Sequence, residues 1–400
     1  MSSNPQTSSG PAPASRTPFE LPSQPMGTIA IVLIAIGVVG FFLALLAGGA
    51  ARAWQAYLVN LLFWMGIAQA GVVCSAAFYL TQGRWAGRTH FRLAEAFSNF
   101  IILGFILFWP LYFGRKLIFP WVTHPVPTLT GWLNVPFLFA RDGIALAIIS
   151  LVSFAFLRVS RSPEAAAWAL DRDSIAMPPP AIRRLAPALG MCYVAVYSLL
   201  AFDLVMSLSP LWHSTLFGWF FFAGAFWSAI VMMTVTAVHL RRILGPGNVF
   251  ENRRVLHDLG KMIFGFSIFW VYTMFAQFLV IWYGDLPLES FFIAIRVYYR
   301  PWPWLSWTVL GLVWAVPFVV LLGKAGKRNP MVLGTVATIG LIGFWLERYV
   351  LIVPSLSPGR IPLGMIELAV TAGFAGAFYL CAYPGLRRVA QAATTDTVGE

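Results

Sequence analysis

Arg141, Asp142 and Asp203 are ionisable side chains set inside stretches that are otherwise apolar enough to lie in a bilayer. A charged side chain at the centre of a membrane helix costs about 2.5–3.5 kcal/mol on insertion scales, so one that is kept has a partner or a task. Carboxyls held near a guanidinium can take up and release protons, and the chemistry they suggest here is proton acceptance from a lipophilic donor. The competing reading is a buried ion pair that ties two helices. A second set, Glu95, His239, His257, Asp258 and Lys261, falls at the other ends of the spans. Glu95, His239 and Asp258 are candidates for a proton path from that side. Capping alone accounts for Asp258, which stands where a helix start is expected, and snorkelling accounts for Lys261.

These residues need long apolar elements to hold them. The 400-residue chain is 59% hydrophobic and 10% charged, far from the quarter or so of charged residues in a soluble globule. Ten stretches reach the length of about 20 residues that a membrane helix needs. They are 27–47, 54–81, 94–114, 135–158, 185–208, 215–240, 259–283, 304–322, 331–350 and 366–383. The runs are continuous and do not alternate apolar with polar, which selects helices over a barrel. The expected fold is an all-α integral membrane protein of ten transmembrane helices, arranged as two four-helix bundles with flanking first and last helices. Residues 1–26 read as a disordered tail, 27–385 as the membrane domain and 386–400 as a second tail.

Most Lys and Arg fall on one side, as in Arg84, Arg88 and Arg92, in Arg158, Arg161, Arg183 and Arg184, and in Arg387 and Arg388. The positive-inside rule then puts both termini in the cytoplasm of a multi-pass protein of the bacterial plasma membrane. The net charge of +12 is this bias; no nucleic-acid motif accompanies it, and no nucleic-acid partner is expected. Cys74, Cys192 and Cys381 stand one to a span, whereas iron–sulfur ligation needs clustered thiolates. His90, His124, His213, His239 and His257 form no pair suited to haem. No metal site and no covalently held cofactor is expected, so any electrons must pass to another subunit.

Topology gives the charges depths. Arg141 and Asp142 lie about 9–10 Å and Asp203 about 7–8 Å below the outer surface, at roughly 1.5 Å per helical residue. His213 sits in the short loop just above, which makes one outer layer of four candidate residues. Adjacent residues point about 100° apart, so Arg141 and Asp142 cannot face each other, and Arg141 is expected to pair with Asp203. Glu367 and the Glu347-Arg348 pair read as structural ties. Gln55, Asn60 and Gln69 in the second span share no common face and are better read as separate interhelical hydrogen bonds than as one headgroup site.

Three stretches carry a resemblance. One runs from Phe202-Asp203-Leu204 through Ser209-Pro210-Leu211-Trp212-His213 to Gly218-Trp219. Another runs from Leu256-His257-Asp258-Leu259-Gly260-Lys261 through Trp270, Phe275, Gln277 and Phe278 to Ile281-Trp282-Tyr283-Gly284. The third is Arg348-Tyr349-Val350-Leu351-Ile352-Val353-Pro354-Ser355. Together they resemble the NrfD/polysulfide-reductase-type membrane subunits of bacterial alternative complex III. Trp54-Gln55-Ala56-Tyr57-Leu58-Val59-Asn60, followed by Gly66 and Gln69 to Gly71, is similar to the ActF-type member of that pair. The resemblance implies a subunit of a quinol:electron-acceptor oxidoreductase of an electron-transport chain, with menaquinol or another quinol oxidised near the outer surface. It implies partner subunits carrying iron–sulfur clusters and haem c, a paralogous ten-helix subunit and surrounding lipid. It leaves open whether this chain binds quinol or conducts protons. A secondary transporter and a purely structural anchor are the rival readings; few spans carry the proline breaks of a transporter, Pro317 in the eighth being the clearest.

Overall fold

A computed structural model describes residues 24–83, 87–171 and 176–395. Apart from its last turn, the tail expected over 1–26 lies outside the described residues, as do the last five positions of the tail expected over 386–400. The described residues hold helices and no strand. In chain order these are α1 (Gln24–Leu46), α2 (Ala50–Leu80), α3 (Gly87–Glu95), α4 (Phe100–Phe108), α5 (Leu111–Ile118), α6 (Pro120–Thr123), α7 (Val135–Ser160) and α8 (Pro163–Leu170). Then follow α9 (Pro180–Leu204), α10 (Leu216–Leu244), α11 (Arg253–Gly284), α12 (Pro287–Val297), α13 (Pro303–Leu310), α14 (Val316–Val320), α15 (Lys324–Arg328), α16 (Pro330–Leu356) and α17 (Met365–Thr395).

Ten spans among the described residues are long and apolar enough to cross a membrane: α1, α2, α3 with α4, α7, α9, α10, α11, α13 with α14, α16 and α17. The chain has the fold of a multi-pass helical membrane protein. Connections 47–49, 109–134, 205–215, 285–302 and 357–364 lie at one face of the bundle, here the upper face; the described residues of the others lie at the lower face.

A helix that is apolar all round belongs in the middle of a bundle. In α2, 94% of the most apolar window is buried, against 17% in α1, so α2 is the central post and α1 a peripheral one. α2 packs with α3, α4, α7 and α9 as one four-helix unit, and α10, α11, α13 with α14, and α16 form the second. The two units join where α2 and α9 meet α10 and α16, and α1 lies on α17 at the flank. That last contact is close because a Cβ on Gly373 would stand 2.8 Å from the Gly37 Cα, the small-residue approach that membrane helices use.

Four features depart from the sequence expectation. The third span begins at Gly87 rather than 94, and its helix breaks between Glu95 and Phe100. Polar Arg88, Thr89, His90 and Arg92 hid its first turns from an apolarity count. The break tightens into i→i−3 bonds, such as Ser98 N donating to Glu95 O at 3.1 Å, and it faces α17, where Asn99 Nδ2 donates to Cys381 O at 3.1 Å. Asp258 is not the cap of the seventh span; Asn252 is, its side chain accepting from Arg254 N at 2.9 Å, because the helix starts at Arg253, a turn and a half earlier than the apolar run. The segment between the seventh and eighth spans, where the sequence marks no element, contains a helix, α12. The last helix runs to Thr395, well past 385, with Val389, Ala390 and Ala393 buried on one side. The irregularity expected at Pro317 takes the form of a π-helical turn, Gly311–Ala315, just before it, a usual remedy where a proline interrupts the hydrogen-bond ladder.

Candidate functional site

Asn134 starts α7 by accepting a hydrogen bond from Phe137 N at 2.9 Å, and Pro136 sets the first turn, which fixes where Arg141 and Asp142 enter the bundle. α9 ends just beyond Asp203. Across this α7/α9 contact Arg141 Nε donates to Asp203 Oδ2 at 2.7 Å, the pairing expected from depth. Trp132 Nε1 donates to the other carboxylate oxygen at 2.9 Å, and Arg141 Nη1 reaches Trp132 O at 3.3 Å. The guanidinium lies 3.9 Å over the Trp132 ring and 4.4 Å over that of Phe137, so two π faces share the work of the single counter-ion.

Asp142 and Asp203 are both fully buried. Asp142 neighbours Asp203, yet neither of its oxygens has a hydrogen-bond partner among the described residues, and Arg141 Nη2 has none either. Two buried carboxyls beside one guanidinium are one acidic group in excess of the cation, and that excess is what could take up a proton. Placed near the upper face, such a group can accept a proton and pass it on. His213, placed with these three by sequence, does not join them; it is exposed and lines a separate groove with Gln277 and Glu289. Trp132 is not among the candidate residues of the sequence. Its position three residues before α7, where the loop must fold back over the helix start, was the available signal.

The lower-face candidates do not converge. Glu95 is buried where α2, α3 and α7 meet; it accepts from Ser75 Oγ at 3.0 Å and from Ser160 Oγ, and from Arg92 Nη1 and Arg161 Nε at 3.2 Å each. Its carboxylate is fully paired, with two arginines and two hydroxyls. His239 is exposed on α10, and Asp258 forms an i,i+3 pair with Lys261 at 2.6 Å on α11. Thus Glu95, His239 and Asp258 occupy three separate places.

Three further polar groups tie the bundle. Arg52 grips Glu367 through two hydrogen bonds, of 3.0 and 2.7 Å, at the upper ends of α2 and α17. Asn60 bonds Thr371 and Trp345, both at 3.0 Å, while Gln69 bonds Ser153 at 2.6 Å, so these two serve separate interhelical contacts; Gln55 does not, its buried Oε1 having no hydrogen-bond partner among the described residues. Glu347 and Arg348 are buried, with Glu347 Oε1 accepting from Trp270 Nε1 at 3.2 Å and Arg348 Nη2 donating to Phe221 O at 3.0 Å.

Arg296 on α12 is one of the few outer-side cations in the sequence and is not among its candidate residues. It is buried, and it donates to Val350 O at 2.9 Å, Leu351 O at 2.8 Å, Phe292 O at 2.7 Å and Ser355 Oγ at 2.9 Å. Pro354 explains the arrangement: it has no N–H to give the carbonyl four residues back, which is that of Val350. The guanidinium replaces the missing donor. Burial pushes the Arg296 pKa down to about 9, still above neutrality, so the side chain remains a cation. Among the described residues no group of three or more His, Cys, Asp or Glu stands close enough to hold a metal ion. Compared with models of known protein families and with curated proteins, the chain matches none.

Proposed function

We propose that the chain is an integral membrane subunit of a quinol-oxidising electron-transfer complex, in which Asp203, Asp142 and Arg141 accept quinol protons on the outer side of a bacterial plasma membrane. The observation that carries this reading is a second fully buried carboxyl, that of Asp142, beside the Arg141–Asp203 ion pair at the upper face. A bundle that needed only a tie between α7 and α9 would be served by Arg141 and Asp203 alone; Asp142 adds buried charge with no structural return. The distribution of Lys and Arg makes the upper face the outer one. The resemblance of the α9–α10, α11 and α16 segments to NrfD-type subunits of alternative complex III supplies the chemistry: quinol gives its protons here, while its electrons leave through partner subunits carrying iron–sulfur clusters and haem c. The chain itself then supplies position and proton acceptance.

Affinity purification of the full chain from mild-detergent membranes tests the assembly. Co-purification of haem c that is reduced when a quinol is added is the expected result. A chain that purifies without redox partners, yet moves a solute across liposomes, would replace this reading with that of a transporter.

A further inference from the structure

The short helix α15, at the lower face, holds a lysine in an unusual setting. Lys327 is only 8% exposed, although lysines at a membrane surface normally carry their charge out into water. Its stem lies against α11 at Gly260, where a Cβ would stand 3.0 Å from both the Cβ and the Cγ of Lys327, so the glycine makes room for it. The ammonium sits 4.5 Å over the Phe264 ring and has no hydrogen-bond acceptor or carboxylate partner among the described residues. A ring face replaces only part of the water that a buried ammonium gives up.

The neighbouring groups leave the same kind of deficit. Arg328 is exposed and has no acidic partner among the described residues. His257, one turn before Gly260 on α11, has a buried Nδ1 without a hydrogen-bond partner among the described residues. Lys261, Lys327 and Arg328 all lie close enough to His257 to act on its charge, and Asp258, the carboxylate at hand, is held by Lys261 at 2.6 Å. Two cations and one ring nitrogen are thus left without an acceptor. The bias of Lys and Arg toward one side accounts for exposed cations at this face. It does not account for a buried ammonium with no acceptor.

An apolar track leads away from this cluster into the membrane. Phe264 stacks on Phe318 with ring centres 5.5 Å apart, and Phe318 stacks on Trp314 at 5.7 Å. All three rings are half-buried between α11 and the eighth span, and Val319 and Leu322 nearby are exposed. Unpaired cations at headgroup level above such a track match a ligand with an anionic head and an acyl tail.

We propose that the cleft between α11 and α15 binds an anionic phospholipid of the lower leaflet. Lys327 and Arg328 hold its phosphate, His257 Nδ1 is a further donor, and one acyl chain lies along Phe264, Phe318 and Trp314. A headgroup with its own ammonium, such as choline, would bring a cation against the cluster, so a glycerol headgroup is preferred. The site lies at the face opposite to Asp203 and does not depend on the role proposed for it.

The test titrates phosphatidylglycerol carrying a fluorescent acyl chain into the full chain in dodecyl maltoside and follows anisotropy. Saturable binding is expected, with phosphatidylcholine at least about tenfold weaker. Lys327→Met keeps the stem on Gly260, removes the charge and weakens binding about tenfold or more. Arg328→Gln, at an exposed position that cannot endanger folding, weakens it about fivefold. Arg184→Gln, which removes an exposed lower-face cation on α9 in the first four-helix unit, leaves affinity within about twofold. Equal affinity for phosphatidylcholine, or parental affinity in both Lys327→Met and Arg328→Gln, overturns the proposal. A loss in Arg184→Gln as large as that in Arg328→Gln overturns it too, by showing attraction to the whole charged face. Displacement of the probe by glycerol 3-phosphate at the concentration at which unlabelled phosphatidylglycerol displaces it overturns the lipid as the ligand.

Discussion

Asp203→Leu destabilises the chain by about 3 kcal/mol or more, as expected when one partner of a buried ion pair is removed and the other stays behind. The guanidinium of Arg141 then keeps only Trp132 O and two ring faces, and Trp132 Nε1 loses its acceptor. Arg141→Met costs less, since the two carboxyls it exposes to each other can shed their charge by protonation while a guanidinium cannot. The double variant Arg141→Met/Asp203→Leu recovers most of the loss, because apolar groups of similar volume replace the pair. Thermal unfolding in detergent, followed by a dye that reacts with the buried Cys74 on exposure, measures all four proteins. If the two single losses simply add in the double variant, the pair carries no coupling.

Arg296→Met is expected to cost about 3 kcal/mol, since it strips donors from Val350 O, Leu351 O and Ser355 Oγ at a buried site. The cause lies on another helix, so the remedy does too. Pro354→Ala alone changes stability little, because Arg296 already serves the Val350 carbonyl. In the Arg296→Met background it restores the N–H that Pro354 withholds and returns about 1–2 kcal/mol. The same unfolding assay reads the rescue. A Pro354→Ala change that rescues nothing would show that Arg296 acts through its packing on Phe292 rather than through the proline-freed carbonyl.

The spans were legible because their signal is cumulative: about 20 apolar residues in a row admit one reading, whatever the details of packing. The Arg141–Asp203 pair was legible because charge at depth demands a partner and only one lay at the right level. Helix starts were less so. α3 opens with Arg88 and Arg92, and α11 opens on Asn252, six residues before the Asp258 that an apolarity count selects as its cap. Contacts made by residues of the connections between spans were hidden for a different reason. Trp132 and Arg296 act on Asp203 and Pro354, which lie 71 and 58 positions away, and no local spacing encodes such a meeting. Pro354 inside an apolar run was the available clue that some donor must come from outside the helix. His213 misled because it shares a level with Asp203 without sharing a side of its helix.

The central claim is that the buried carboxyls take protons from quinol, and Asp203→Asn tests it most directly. Asn keeps one acceptor oxygen for Trp132 or Arg141 and nearly the same volume, so the complex should still assemble, but an amide cannot take up the proton. Quinol:acceptor turnover, normalised to assembled complex by its haem, is predicted to fall about a hundredfold, the usual scale for loss of a proton-transfer group. Turnover equal to that of the parent complex would contradict the account and leave Arg141, Asp142 and Asp203 as a structural tie.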